Sequence, residues 1–286
     1  MMATIGRQAA TLVVVGVLVS GCEALSPSKP ELVGELDVIE ATELTDVMLS
    51  LKDPLEGAAY FRAKLGRDPE NERYMRGLAS SLVRANRPAE AALAYERLIA
   101  AGHASDDDRL LYAEALIKAG DMEAAKGELD KIPPTKESYK RYLLEAIVAD
   151  SRKDWKRSDS YYQTARGLTA RPAPVLNNWG MSKLARGNFT EAANLFQEAI
   201  SFDPGMFQAK NNLVTARARN RQYQLPIIPM NEVEEAELLY NSAIIAVRQG
   251  DVDIASGLLE LAIETHPEHF EEATQALASL GANVGR

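Results

Sequence analysis

Basic residues are in short supply: 32 Lys and Arg stand against 41 Asp and Glu, a formal net charge of -9. Binding to phosphate backbones needs clustered Lys and Arg, so the composition excludes nucleic acid as the main partner. Cysteine is scarcer still. Cys22 is the only one, so no internal disulfide can form. Three histidines offer little to a metal ion, since the one close pair, in His266-Pro267-Glu268-His269, lacks further ligands and falls at a helix terminus. Asp106-Asp107-Asp108 behind Ser105 reads as a capped helix start, where acidic residues complement the dipole, and no nucleotide loop or nucleophile motif accompanies it. No catalytic residue, metal ligand, cofactor or small-molecule substrate is expected.

Long apolar runs are equally rare. One stretch, Ala9 to Val19, follows Arg7 and the amino terminus, and Ser20, Gly21 and Cys22 come next. Such a run is about half the ~20 residues of a spanning helix, so residues 1–21 read as a cleaved signal peptide. The quartet Val19-Ser20-Gly21-Cys22 resembles the bacterial lipobox, and the resemblance makes Cys22 the acylated first residue of the mature chain. Three acyl chains exceed the two membrane signals needed for stable anchoring. By analogy with other lipoproteins, Glu23-Ala24 after the cysteine favours the outer membrane, facing the periplasm. Residues 22–43, with Ser26, Pro27, Ser28, Pro30 and Gly34, read as a lipidated tether to a body at 44–286.

The remaining chain, 46% hydrophobic and 26% charged, has an ordinary globular composition. It is punctuated at a fixed interval. Asn86, Gly120, Lys153 and Gly187 occupy equivalent slots, 34, 33 and 34 residues apart, and Gly250-Asp251 repeats the scheme. A residue in the left-handed conformation closes one helix there, and Asp, Asn or Pro opens the next. At Asn188-Phe189-Thr190-Glu191 a capping box is expected, with Glu191 reaching back to its cap residue. The period is that of a tetratricopeptide helical hairpin.

The residues within each period resemble that family directly. The unit from Ala173 to Met206 carries Leu176, Trp179-Gly180, Leu184, Ala192, Phe196, Ala199 and Pro204. Small residues at 180, 192 and 199 let the helices approach, with Trp179 and Phe196 expected to fill the space between them. The clearest repeats are 72–105, 106–139, 139–172, 173–206 and 236–269, the third being degenerate at Glu145 and Lys153. A helix behind Asp53-Pro54, through Phe61 and Leu65, caps the front, and a closing helix runs from Phe270 to Leu280. A unit that starts at Phe207 is broken by Tyr223 to Met230, where Pro226 and Pro229 force an extended segment that packs Ile227 and Ile228 onto the body. The expected fold is all-α, a right-handed superhelical solenoid of antiparallel helix pairs.

Each repeat buries its apolar face only against its neighbours, so the stack presents a concave surface that binds segments of other proteins. Asn178, Asn212 and Asn241 recur on three successive first helices. In peptide-clamping members of the family such asparagines hold a ligand backbone while nearby Arg or Lys take its carboxylates, which marks Arg219 and Arg248 for the second role. The alternative is that the asparagines bond only within their own helix layer. Finally, Asn177-Asn178-Trp179-Gly180, Asn211-Asn212-Leu213, the Leu225 to Pro229 break and the hairpin from Gln249-Gly250-Asp251 to Pro267 resemble the lipoprotein of the tight-adherence, or Flp, pilus assembly system. That family implies a scaffold whose partners are components of the pilus machinery and its secretin channel. An adaptor for outer-membrane barrel assembly, a recruiter of cell-wall hydrolases and a lipid-anchored enzyme are the rival readings.

Overall fold

Helix starts and stops lie where the sequence chemistry requires them. The computed structural model describes residues 44–284; the expected signal peptide, Cys22 and the expected tether fall outside the described residues. The repeat body runs from Val47. Its helices are α1 (Pro54–Leu65), α2 (Glu72–Arg84), α3 (Pro88–Ala100), α4 (Asp106–Ala119), α5 (Met122–Leu129), α6 (Tyr139–Ser151), α7 (Trp155–Gly167), α8 (Ala173–Ala185), α9 (Phe189–Phe202), α10 (Phe207–Arg219), α11 (Glu232–Arg248), α12 (Val252–Thr265) and α13 (Glu271–Val284). Among the described residues there is no strand, and no helix is long and apolar enough to cross a membrane.

The punctuation slots are held by left-handed residues. Gly120, Gly187 and Gly250 have φ of 90, 81 and 83°, and Asn86 and Lys153 reach 53 and 58° despite carrying side chains. Arg221, 34 residues after Gly187, joins them at 57°. Asn86, Gly120, Lys153, Gly187 and Gly250 each end one helix and turn the chain back for the next, giving the pairs α2/α3, α4/α5, α6/α7, α8/α9 and α11/α12, whereas no second helix follows Arg221 directly. Caps follow the same logic. Asp53 accepts from Leu55 N at 2.8 Å, Asp121 from Ala124 N at 3.0 Å, and Ser105 forms a capping box with Asp108. The expected box at Asn188 does not form, because Glu191 is drawn instead to Lys183, 2.7 Å away.

A continuous core runs from α1 to α6, with Phe61, Tyr95, Leu98 and Leu129 fully buried. Close helix approach depends on missing side chains. A Cβ at Gly180 would sit 2.5 Å from the Phe196 ring, and one at Gly77 2.6 Å from Phe61. The Phe196 ring therefore occupies the space that a side chain at 180 would fill. Trp179 does not share that space, contrary to the expectation. Its ring faces back to the preceding unit and stacks on Tyr162, with centroids 6.1 Å apart and an interplanar angle of 13°.

The fifth unit has only its first helix. α10 packs between α9 and α11, and after Arg221 the chain runs through Tyr223 to Met230 without helix before Asn231 opens α11 with a second capping box. The last repeat accordingly begins its first helix at Glu232, four residues ahead of the expected boundary. Tyr223 is buried, and Leu225 and Ile228 pack onto neighbouring clusters. Ile227, expected beside Ile228, is fully exposed at 104%. Successive side chains of an extended segment point to opposite sides, so the body can bury only one of the pair.

Candidate functional site

The five groove residues named from the sequence fall on the first helices α8, α10 and α11. Asn178 donates its amide to the Pro174 carbonyl at 2.8 Å, one turn back in its own helix. Asn212 and Asn241 instead reach across to neighbouring first helices. Asn212 donates to Asn177 Oδ1 at 2.8 Å, and Asn241 to Asn211 Oδ1 at 2.9 Å. The result is an amide ladder over α8, α10 and α11 that fixes the register of successive units. Asn177 and Asn211, its acceptors, were named from the sequence only among the residues that carry the pilus-lipoprotein resemblance, not as groove residues.

Arg219 and Arg248 lie seven residues beyond Asn212 and Asn241. Seven residues are close to two turns, so each arginine shares a face with its asparagine, about 10 Å further along the helix. Both are exposed, and neither side chain makes an ion pair among the described residues. In an acidic protein these free guanidinium groups beside amide rungs suit a ligand with carbonyl and carboxylate groups.

A second polar assembly joins the degenerate third unit to the fourth. Asp159 on α7 accepts from Trp179 Nε1 at 2.7 Å, from Lys183 Nζ at 3.2 Å, and from Arg186 at 2.7 and 2.9 Å. Asp150 on α6 accepts from Tyr162 at 2.9 Å, from Ser182 at 2.6 Å and from Ser158. The Arg186 guanidinium also lies over the Trp155 ring, 4.9 Å from its centroid. Burial alone would raise the Asp159 pKa, but the bonds from Arg186, Trp179 and Lys183 outweigh it and hold the carboxyl at about 2. A similar bridge links the first two full units. There Arg76 forks onto Asp108 at 3.0 to 3.2 Å. Glu145, which broke the repeat pattern, is buried on α6, and desolvation pushes its carboxyl up. Charges of opposite sign about one repeat apart are the signal by which these bridges could have been found.

His266 and His269 are used locally. The first shares its Nδ1 with the Glu268 backbone at 2.9 Å, and the second meets Glu271 at 2.7 Å. Among the described residues no group of three or more metal-ligating side chains converges.

Two models described as tetratricopeptide repeat match the chain, one over 82–147 and the other over 49–108 and 177–246. No curated protein matches significantly. Solved structures give the same fold. A tetratricopeptide repeat protein from Parabacteroides merdae ATCC 43184 superposes with a TM-score of 0.57 at 13% identity, over 86% of this chain and 99% of that one. A chain of the APC/C hetero-tetramer Cut9-Hcn1 gives 0.56 at 15% identity, over 86% of this chain and 52% of that one, so this chain spans about half its length. At such identities the likeness is one of fold. The family matches together cover more than half of the 286 residues, and the hairpin slots, Gly180 against Phe196 and the stacked pairs agree with them: the chain belongs to the tetratricopeptide-repeat family, an all-α superhelical scaffold for binding other proteins.

Proposed function

We propose that the protein is an outer-membrane lipoprotein, acylated at Cys22 and facing the periplasm, that holds components of the tight-adherence (Flp) pilus secretion machinery and supports its secretin channel. The observation that carries this reading is the coupling, in one chain, of the sole cysteine in Val19-Ser20-Gly21-Cys22 with a repeat scaffold whose C-terminal half bears the paired asparagines and the Leu225 to Pro229 break. The exposed Arg219 and Arg248 beside the amide ladder are the contacts assigned to a partner's carboxylates. The chain is acidic, at -9 overall, and stands off anionic lipid, which leaves the membrane bond to the acyl chains.

The test has two arms. Replacing Cys22 with Ser should abolish acylation and move the protein out of the outer-membrane fraction; unchanged fractionation removes the anchor. The lipidated protein, captured from the envelope, should enrich secretin and pilus-assembly subunits. The double variant Arg219→Ala, Arg248→Ala should capture about tenfold less with an unchanged melting temperature, since both side chains are exposed. Asn212 is the poorer choice for that arm, because its loss also strips the buried Asn177 of its donor. Enrichment of barrel-assembly components or cell-wall hydrolases, with no pilus subunit, overturns the pilus role.

A further inference from the structure

The interrupted unit leaves one cation without its counter-charge. Counting from each unit's start, Lys183 is the eleventh residue of the fourth unit and Arg217 the eleventh of the fifth, 34 residues on. At the fourth unit the fold supplies two carboxylates to that slot. Asp159, from the second helix of the preceding unit, lies 3.2 Å from Lys183 Nζ, and Glu191, from the unit's own second helix, lies 2.7 Å away. One repeat later the same two places hold Ala193 and Leu225. Ala193 has no charge, and Leu225 belongs to the extended segment that stands where the second helix is missing. Arg217 makes no ion pair among the described residues, and its Nε is buried with no hydrogen-bond partner. An Arg donor cannot shed its proton, so burial without an acceptor is a standing cost.

Arg217 lines an open cleft of about 690 Å³ between α10, the start of the extended segment and α12, together with Arg221, Gln222, Tyr223, Gln224 and Ile254. The other charges there are spoken for. Arg221 forks onto Asp251 at 2.7 and 2.8 Å, and the Tyr223 hydroxyl is held by Gln249 and Asp251. Ile254, 46% exposed, gives the cleft an apolar wall. Arg217 is five residues from Asn212, about 140° around α10, so this cleft is separate from the face that bears the amide ladder.

We infer that this cleft is a second docking site, which takes an acidic helical segment of a partner protein beside the extended segment that replaces the second helix and seats one of its carboxylates on Arg217. The occupant follows from charge: the fourth unit, which also carries a cation in this slot, meets it with Asp159 and Glu191 on helices, and here both are missing. The site does not depend on the pilus reading.

The probe is a capped, fluorescein-labelled helical peptide whose only charges are glutamates on successive turns, with its glutamine counterpart as control, followed by anisotropy on the full mature body. The glutamate peptide should bind at least about tenfold more tightly than the glutamine one. Arg217→Leu should abolish that difference at an unchanged or higher melting temperature. Ala193→Asp rebuilds in the chain the pair that Asp159 makes with Lys183; it should raise the melting temperature and weaken probe binding by a similar factor. The variant Arg219→Ala, Arg248→Ala should bind the probe as the parent does. Equal binding of the two peptides overturns the inference. So does binding that survives both Arg217→Leu and Ala193→Asp, or that is lost only with Arg219 and Arg248.

Discussion

Replacing Phe196 with alanine is expected to lower the unfolding free energy by about 3 to 5 kcal/mol. The ring is fully buried, and it lies against the one stretch of α8 where Gly180 leaves no side chain. Neighbours cannot easily close the space, because the facing residue, Gly180, has no side chain to turn into it. The cavity would therefore persist, and the loss should stand near the top of that range. Chemical denaturation of the parent and variant checks it, and a loss below about 1 kcal/mol would mean that the two helices meet in some other register. Trp179→Ala should cost less, for the indole is only partly buried and one side of its role is a hydrogen bond to Asp159.

Asp159→Asn is expected to cost about 2 kcal/mol at neutral pH. The substitution keeps an acceptor for Trp179 but leaves Arg186, 9% exposed, with only the more distant Asp150 at 3.9 Å, and Lys183, 12% exposed, with only Glu191. Asp159 itself is 31% exposed, so water softens the loss below that of a fully buried pair. Its acid limb provides a second check. With the folded carboxyl at about 2, below the ordinary 3.8, the contribution is fully present above the ordinary value and disappears as the pH falls through about 2. The difference between parent and variant should accordingly shrink between pH 4 and about pH 2, measured by thermal melts across that range. A constant difference would assign the effect to packing.

The period of the fold was legible because helix punctuation is local chemistry. Gly120, Gly187 and Gly250 can adopt the left-handed turn at no steric cost, and their return after 67 and 63 residues, about two periods each, needs no knowledge of what packs on what. Asn86 and Lys153 were readable only through their phase, and Arg221 sits in the same phase without any glycine or Asx to announce it. What escaped is what depends on facing surfaces. Whether Trp179 leans toward Phe196 or toward Tyr162 is settled by the angle between units, and that angle has no signature within α8. Glu191 had a capping partner in sequence and an ion-pair partner in space, and Lys183 won. The asparagines were found as a recurrent residue, while their function as rungs required Asn177 and Asn211 on the adjacent helix. Alternation in the extended segment was also misjudged: two adjacent isoleucines cannot both face the body, and Ile227 is the one turned out.

The bridges between units share one property with a wider consequence. Arg76 to Asp108, Asp159 to Arg186, Asn241 to Asn211 and Asn212 to Asn177 span 32, 27, 30 and 35 residues. None reaches past the adjoining hairpin, so the molecule is held like a zip fastener, tooth to tooth, with no clasp from end to end. Damage to one tooth is felt by the two beside it and fades beyond them. A partner that grips two neighbouring hairpins therefore stiffens that stretch alone, and the remaining length stays free to flex toward a second protein.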